Sequence, residues 1–223
     1  MRAMILAAGR GERMRPLTDH VPKPLLEAGG KPLIQYHIEA FAACGIRDIV
    51  INLAWKGALI RERLGDGARF GVRIAYSDEG AEALETGGGI LQALPLLGPD
   101  PFIVVSGDIW TAYPFASLFD KLRGGDLAHF VFVPNPPFHP RGDFTLIDGR
   151  VRLDGAVRQT YANIGVLRPE FFEGCMAGRF PLAPIMRRWI EADRVSGELY
   201  EGPWRNVGTP EQLGELDRAL RAT

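Results

Sequence analysis

The sequence predicts one α/β domain over residues 1–223, built on a mostly parallel, mixed β-sheet. Two observations carry that expectation. Through the first half, short β-branched runs ending at Gly or Asp alternate with segments of helical period, which implies crossovers and parallel strands. Past Asp126 the texture changes to closely spaced strand-like runs broken by turn pairs, which adds antiparallel members.

In order along the chain, Arg2–Ala8 (RAMILAA) is an apolar strand that stops at Gly9. From Lys31, PLIQYHIEAFAACGI places apolar residues at helical spacing and stops at Gly45, a capping glycine. Asp48–Leu53 (DIVINL) is a buried strand, Ala58–Leu64 a helix and Val72–Tyr76 a strand. Gly89–Leu97 reads as a helix entered from three glycines, and Pro101–Ser106 (PFIVVS) as a buried strand ending at Gly107-Asp108. LAHFVFV, FTLI, RVRL and TYANIGVL follow as strands, with turns at Pro136-Pro137 and Asp148-Gly149. Helices are expected at Pro181–Ala192 and Pro210–Ala222, with two short strands inside Glu198–Val207.

Composition excludes several classes. With 46% hydrophobic and 24% charged residues and a net charge of −1, the chain has neither the basic excess of a nucleic-acid binder nor the acidity of a disordered tail. Cys44 and Cys175 stand far apart and read as fillers in a reducing compartment. His20, His37, His129 and His139 have no zinc-ligand spacing. No apolar run approaches the ~20 residues of a membrane helix. The opening MRAMILAAG is too short for a signal peptide, so a cytoplasmic location is expected.

Positive charge is instead local. Leu6–Leu26 (LAAGRGERMRPLTDHVPKPLL) gathers Arg10, Arg13, Arg15 and Lys23 among two glycines and three prolines. A strand followed by a glycine loop offers backbone N–H groups to a phosphate. Two common phosphate loops do not fit. The dinucleotide fingerprint wants a third glycine where Met14 stands, and an acid where the second strand ends in Asn52-Leu53. For a P-loop, Gly30-Lys31 runs into Pro32, and Leu25 holds the earlier glycine position.

The pattern G-x-G-x-R-[ML]-x-P-x-T followed by P-K-P-[LM] fits instead. Here it is Gly9, Gly11, Arg13, Met14, Pro16 and Thr18, then Pro22-Lys23-Pro24-Leu25. In this the chain resembles the sugar-1-phosphate nucleotidyltransferases. The resemblance extends to Leu84–Gly89 (LETGGG), Gly107-Asp108 and Trp204–Thr209 (WRNVGT). It implies a Rossmann-like, GT-A type three-layer α/β/α fold, with a nucleotide-binding part over about 1–110 and a sugar-binding part over about 111–223.

It also implies a reaction: an NTP and a sugar 1-phosphate give an NDP-sugar and pyrophosphate, with Mg²⁺ as cofactor. One anion must approach another. Two unit charges about 4 Å apart repel by roughly 4 kcal/mol at an effective dielectric of about 20, so cations must cancel that repulsion before chemistry starts.

By the resemblance, Ala8, Gly9, Gly11, Glu12 and Arg13 form the nucleotide loop. Arg15 flanks the terminal phosphates, Lys23 lies at the α-phosphate, and Asp108 holds the metal, so that Arg15, Lys23 and Asp108 form the catalytic set. Arg10 fits either a phosphate contact or a solvated loop. The proline neighbours of Lys23 restrict its backbone on both sides. Gly87 and Gly88 resemble residues packed under the nucleobase, with Thr86 or Glu85 nearby, and Glu79 fits either an acceptor for a base imino N–H or a solvated acid. Uracil and guanine both offer that donor. The second metal ligand of the family is usually Asp in W-x-D-x-G-T, and here it is Asn206, an amide one charge short. At the sugar end Gly142, Asp143 and Asn163 resemble family contacts, and Asn52 ends a strand facing the expected pocket.

A Glu-x-Lys clamp common in relatives is missing from LDGAVRQTYAN. The stretches VINLAWKG, SDEG, LETGGGI and NPPFHPRGDF are similar to the short N-acetylmuramate α-1-phosphate uridylyltransferase branch. That branch implies UTP and N-acetylmuramate α-1-phosphate as partners, in cell-wall recycling, with no nucleic acid or membrane. A bulky lactyl ether agrees with a lost clamp, and the early end of the chain agrees with the absence of an appended acetyltransferase helix or allosteric arm. Mannose-1-phosphate guanylyltransferase and glucose- or N-acetylglucosamine-1-phosphate uridylyltransferase are the alternatives within the class. Outside it stand a non-catalytic nucleotide-sugar sensor, which Asn206 would favour, and a dinucleotide-dependent oxidoreductase, which Met14 and Asn52 oppose.

Overall fold

A computed structural model of the chain describes residues 1–222. The strands are β1 Arg2–Leu6, β2 Glu27–Ala28, β3 Lys31–Pro32, β4 Asp48–Leu53, β5 Arg73–Asp78, β6 Phe102–Ser106 and β7 Ile109–Thr111. They continue with β8 Ala128–Val133, β9 Phe144–Ile147, β10 Arg150–Arg152, β11 Arg158–Leu167, β12 Val195–Leu199 and β13 Trp204–Asn206. The helices are α1 Leu33–Ala43, α2 Gly57–Leu64, α3 Glu85–Leu97, α4 Ala183–Glu191 and α5 Pro210–Arg221.

Nine strands form one sheet in the order β5-β4-β1-β6-β11-β8-β12-β10-β9. β5, β4, β1 and β6 are mutually parallel, as the alternation of short strands with helices predicts. β11 enters antiparallel between β6 and β8, β12 runs parallel to β8, and β10 and β9 close the far edge antiparallel.

The period of two sorts side chains to the two faces. Ala3, Ile5, Ile49, Ile51, Ile103 and Val105 point to a core shared with Ile34, Ile38 and Phe41 of α1 and Ile60 and Leu64 of α2. Met4, Val50, Phe102 and Val104 point to a second core with Ile90, Ala93 and Leu97 of α3 and Ile185, Met186 and Ile190 of α4. The architecture is therefore three-layered α/β/α. Strands apolar on both faces are what such burial requires.

A third, smaller core joins Met14 and Leu26 of the opening loop to Leu33, Val207 and Leu216. It ties the glycine loop to α5 and to the turn after β13. Thr209 caps α5, accepting from the Gln212 N–H at 3.3 Å, while the Gln212 side chain accepts from the Gly208 N–H at 2.7 Å. This is the reciprocal logic of a capping box.

The structure differs from expectation in two places. α3 starts at Glu85 rather than Gly89, so the three glycines lie inside its first turns. They are there for clearance: a Cβ on Gly87 would stand 2.6 Å from the Phe180 ring, and one on Gly88 2.1 Å from the Gly178 carbonyl. The β2–β3 hairpin, two residues a side, precedes α1 where helix was expected from Lys31. Among the described residues no helix is long and apolar enough to cross a membrane, and both cysteines are free.

His37, 1% exposed, sits in α1 with Nε2 donating to the Ile109 carbonyl at 2.8 Å. Burial pushes its pKa from 6.5 to about 4, against the opposing effect of that hydrogen bond. The folded imidazole thus stays neutral while the unfolded one gains a proton, and stability is lost as pH falls from about 6.5 to about 4. Melting temperature recorded across that window should decline, and His37→Gln, which keeps an N–H donor without the titration, should flatten the slope.

Candidate active site

The sheet places its reactive residues at one edge. β1, β4, β5 and β6 are parallel, so the loops after their C-terminal ends gather together. β4 and β6 flank β1 on opposite sides, which makes the end of β1 a switch point where α/β sheets open a crevice. The glycine loop begins there.

Its two glycines act differently. Gly11 has φ +64°, and a Cβ would stand 3.0 Å from Thr18 Cγ2 and 3.1 Å from Lys23 Cβ, so it closes the loop on itself. The Thr18 hydroxyl donates to the Gly11 carbonyl at 2.8 Å and fixes that closure. Gly9 has nothing within 4 Å of its virtual Cβ. No packing demands a glycine there, and its bare backbone faces a cleft of about 670 Å³.

That cleft is lined by Ala8–Arg13, Lys23, Ala54, Trp55, Ala81–Ala83, Asp108, Arg179 and Gly208. Four cations (Arg10, Arg13, Lys23, Arg179) face three carboxylates (Glu12, Glu82, Asp108). Arg10 stacks over the Trp55 ring at 4.5 Å, and Trp55 in turn donates to the Thr18 carbonyl at 3.4 Å. Arg13 runs beside Gly208, where a Cβ would meet its Nη2 at 3.4 Å. Arg179 reaches over from the segment before α4 and pairs with Glu85 at 3.1 Å.

Lys23 Nζ stands 2.7 Å from Asp108 Oδ2. The lysine side chain is 9% exposed and the aspartate 33%. A tight turn over Lys23–Leu25, with Pro24 as its second residue, holds the lysine, and Asp108 follows β6 directly.

Behind the cleft lies a smaller cavity of about 180 Å³, bounded by Leu6–Gly9, Lys23, Asn52, Glu79, Glu85, Thr86 and Asp108. A chain of hydrogen bonds builds its wall. The Ala7 N–H donates to Asn52 Oδ1 at 2.7 Å, Asn52 Nδ2 donates to Glu79 Oε1 at 2.6 Å, and Glu79 Oε2 accepts from the Leu84 N–H at 2.6 Å. Gly89 gives that chain room, since a Cβ there would stand 2.4 Å from Glu79 Oε1. Thr86 reaches this cavity, whereas Gly87 and Gly88 lie buried beneath Gly178–Phe180.

A third cavity, about 410 Å³, is lined by Gly142, Asp143, Asn163 and Asn206 together with Phe138, Tyr161, Trp204 and α4. Asn163 has φ +59° at a bulge in the β11–β8 pairing. A non-glycine residue in that conformation is uncommon outside sites that need it. Its neighbour Ile164 pairs with Val105, so the bulge lies beside the end of β6. Asp143 accepts from the Tyr161 N–H at 2.8 Å and pairs with His139 at 3.0 Å. Gly142, φ +60°, lets the loop pass the Asn135 side chain and the Arg158 backbone.

Asn206 links the cavities: it pairs with Ile109 across β13–β7, and the next N–H, of Val207, donates to the Asp108 carbonyl at 2.9 Å. Among the described residues no cluster of three or more His, Cys, Asp or Glu could hold a metal. The Asn206 amide has no hydrogen-bond partner among them, and Asp108 Oδ1 has none either. One carboxylate oxygen and one amide oxygen suit a hard divalent ion that takes its remaining ligands from phosphates and water.

Two expected placements differ. Arg15 is absent from the cleft lining; its side chain is 57% exposed and pairs with Asp19 at 3.2 Å, one turn along. Asn52 lies in the wall behind the glycine loop, apart from Asp143 and Asn163. The cleft also holds Trp55, Glu82 and Arg179, which motif spacing did not single out.

Replacing Asn52 with Ala strands the buried Ala7 N–H and frees Glu79. A loss of about 1–3 kcal/mol in unfolding free energy is expected, and denaturant titration measures it. An unchanged midpoint would show that water substitutes for the amide.

The family model described as Nucleotidyl transferase matches residues 2–141. An N-acetylmuramate alpha-1-phosphate uridylyltransferase from Neisseria meningitidis serogroup B is 50% identical over 222 residues, covering 96% of both chains. One from Caulobacter vibrioides is 36% identical, covering 94% of this chain and 92% of its own. A solved structure described as a putative glucose-1-phosphate thymidylyltransferase from Bacillus anthracis superposes with a TM-score of 0.85 at 20% identity, over 100% of this chain and 96% of that one. With its glycine loop, its Lys23–Asp108 pair and these likenesses, the chain belongs to the nucleotidyl transferase family, among the sugar-1-phosphate nucleotidyltransferase enzymes.

Proposed function

We propose that the protein transfers a uridylyl group from UTP to N-acetylmuramate α-1-phosphate, giving UDP-N-acetylmuramate and pyrophosphate. The observation that carries this reading is the Lys23–Asp108 pair, which lines both the cationic cleft and the smaller cavity behind it. The names of two relatives, 50% and 36% identical over nearly the whole chain, favour the uridylyl and muramyl choices.

The triphosphate lies along the open backbone at Gly9 and Gly11, with Arg10, Arg13 and Arg179 facing its outer phosphates. The nucleoside points into the small cavity bounded by Ala8, Glu79 and Thr86. The sugar sits against Asp143 and Asn163, its phosphate directed past Asn206. Lys23 faces the α-phosphate and offsets the charge that builds as the sugar phosphate oxygen attacks. Proline-restricted and mostly buried, it needs little reorganisation to do so. Asp108 and Asn206 would hold Mg²⁺, which supplies Lewis-acid polarisation of the phosphates. Arg15 would reach the nucleotide only by leaving Asp19. A nucleotide and a muramyl phosphate as substrates fit a role in cell-wall recycling in the cytoplasm.

The test is pyrophosphate release from four nucleotides against muramic, N-acetylglucosamine, glucose and mannose 1-phosphates. Release fastest with UTP and the muramyl ester is expected, and a clear preference for another pair overturns the assignment. Lys23→Ala and Asp108→Ala should each lower turnover by about 100-fold or more. Lys23→Ala should melt close to wild type, whereas Asp108→Ala, which leaves the covered Lys23 without its partner, should melt lower yet stay folded at assay temperature. Unfolded variants would instead mark the pair as structural. Asn206→Asp should shift the Mg²⁺ titration to lower concentration, and an unmoved midpoint would remove that residue from the metal site.

A further inference from the structure

The cavity assigned to the sugar contains a charge that no neutral sugar requires. Its lining includes one carboxylate, Asp143, and two arginines, Arg158 and Arg187. Both Asp143 oxygens are engaged, by His139 at 3.0 Å and by the Tyr161 N–H at 2.8 Å. Arg158 is also engaged, donating to the Leu153 carbonyl at 2.7 Å, with Asp154 3.8 Å away. Arg187 differs. Among the described residues its guanidinium has no ion pair and no hydrogen bond. Its one recorded contact is the ring of Phe144, 5.6 Å from the guanidinium carbon, and that ring is itself buried.

A ring face positions a guanidinium without using its N–H groups. Five donors then remain, in a planar fork that faces solvent and has no acceptor from the described residues. Hydroxyls satisfy such a fork poorly, because each is as ready to donate as to accept. A carboxylate matches it in charge and in two-pronged shape. Arg187 belongs to α4, whose residues Ala183, Met186 and Arg187, spaced three and four apart, line the cavity wall. The phosphate end of the sugar is drawn toward Asn206 and Asp108. A substituent on a ring carbon remote from the anomeric phosphate is then free to reach another wall.

We infer that Arg187 binds a carboxylate on the sugar substrate and thereby selects the lactyl-bearing N-acetylmuramate 1-phosphate over N-acetylglucosamine 1-phosphate. The inference rests on the reading of the site given above, and it adds the group that reads the acid. The residue is a specificity determinant and takes no part in bond making.

The experiment measures KM and kcat for both sugar phosphates with UTP and Mg²⁺, in the wild type and in Arg187→Met, which keeps an apolar stem over Phe144. The muramyl-to-glucosaminyl ratio of kcat/KM should fall about 10–100-fold in the variant, through KM of the muramyl ester. Arg187→Gln, polar but uncharged, should give the same selective loss. The lactyl methyl ester should be as poor a substrate for wild type as the free acid is for Arg187→Met, and combining the two changes should cost little more. Equal losses on both sugars, an unchanged ratio, or additive losses in the cycle would each overturn the role of Arg187. Wild-type enzyme without a preference for the muramyl ester would overturn the substrate reading itself, which separates the two failures.

Discussion

The site depends on one interaction, the ion pair between Lys23 and Asp108 at 2.7 Å, which joins chain segments 85 residues apart. A lysine this deeply covered loses hydration that a single partner only partly replaces. The pair persists because both ends are held from outside. Lys23 stands in a turn between Pro22 and Pro24, and Met14, nine residues before it, is buried in the satellite core with Val207 and Leu216. Asp108 follows β6, whose residues Phe102 to Val105 are packed on both faces. Two charges, one suited to a phosphate and the other to a cation, are thus parked against each other, at the place where phosphate and metal are proposed to meet.

A second constraint shapes the wall behind them. Ala7, Asn52, Glu79 and Leu84 form a continuous series of hydrogen bonds from the glycine loop to the entrance of α3. Each member satisfies the next, which is how a buried polar group avoids the cost of lost hydration. The series explains why glycines stand at the start of a helix, where propensity disfavours them. Gly89 clears Glu79, and Gly87 and Gly88 clear the Gly178–Phe180 segment, whose carbonyl at Phe180 accepts from the Gly88 N–H at 3.1 Å. The sequence reading starts the helix at Gly89, and tertiary crowding carries Gly87 and Gly88 into it as well.

That case marks the boundary of what the sequence discloses. β1, β4 and β6 are legible because strands buried on both faces must be apolar throughout, and their ends are marked by Gly9, Leu53 and Gly107. α5 is legible from Thr209 and Pro210, which cap and start it. The β2–β3 hairpin is not, since two residues a side carry no period. Lys23, Asp108, Gly9 and Arg13 lie in motifs with fixed spacing, and they do gather in one cleft. Arg179 and Trp55 have no such spacing. They reach the cleft only because the segment before α4 lies across α3 and because Trp55 follows β4, facts of packing rather than of local pattern. Arg15 stands at an unspecified position of the motif, and its side chain pairs with Asp19, four residues on.

The substitution of an amide for an acid at position 206 acquires a reason from the same charges. A second carboxylate beside Asp108 would leave one negative charge uncompensated once Lys23 has neutralised the first, in a place that two phosphates must enter. With Asn206 the pair Lys23–Asp108 is close to neutral on its own. Protein ligands then contribute too little charge to hold a divalent ion tightly, and the phosphates must bring most of it. On the proposed reading Asp108 and Asn206 would hold the metal only together with the nucleotide's phosphates. On that reading Lys23 would turn to the α-phosphate as Asp108 turned to the metal, and neither charge would be left without a partner.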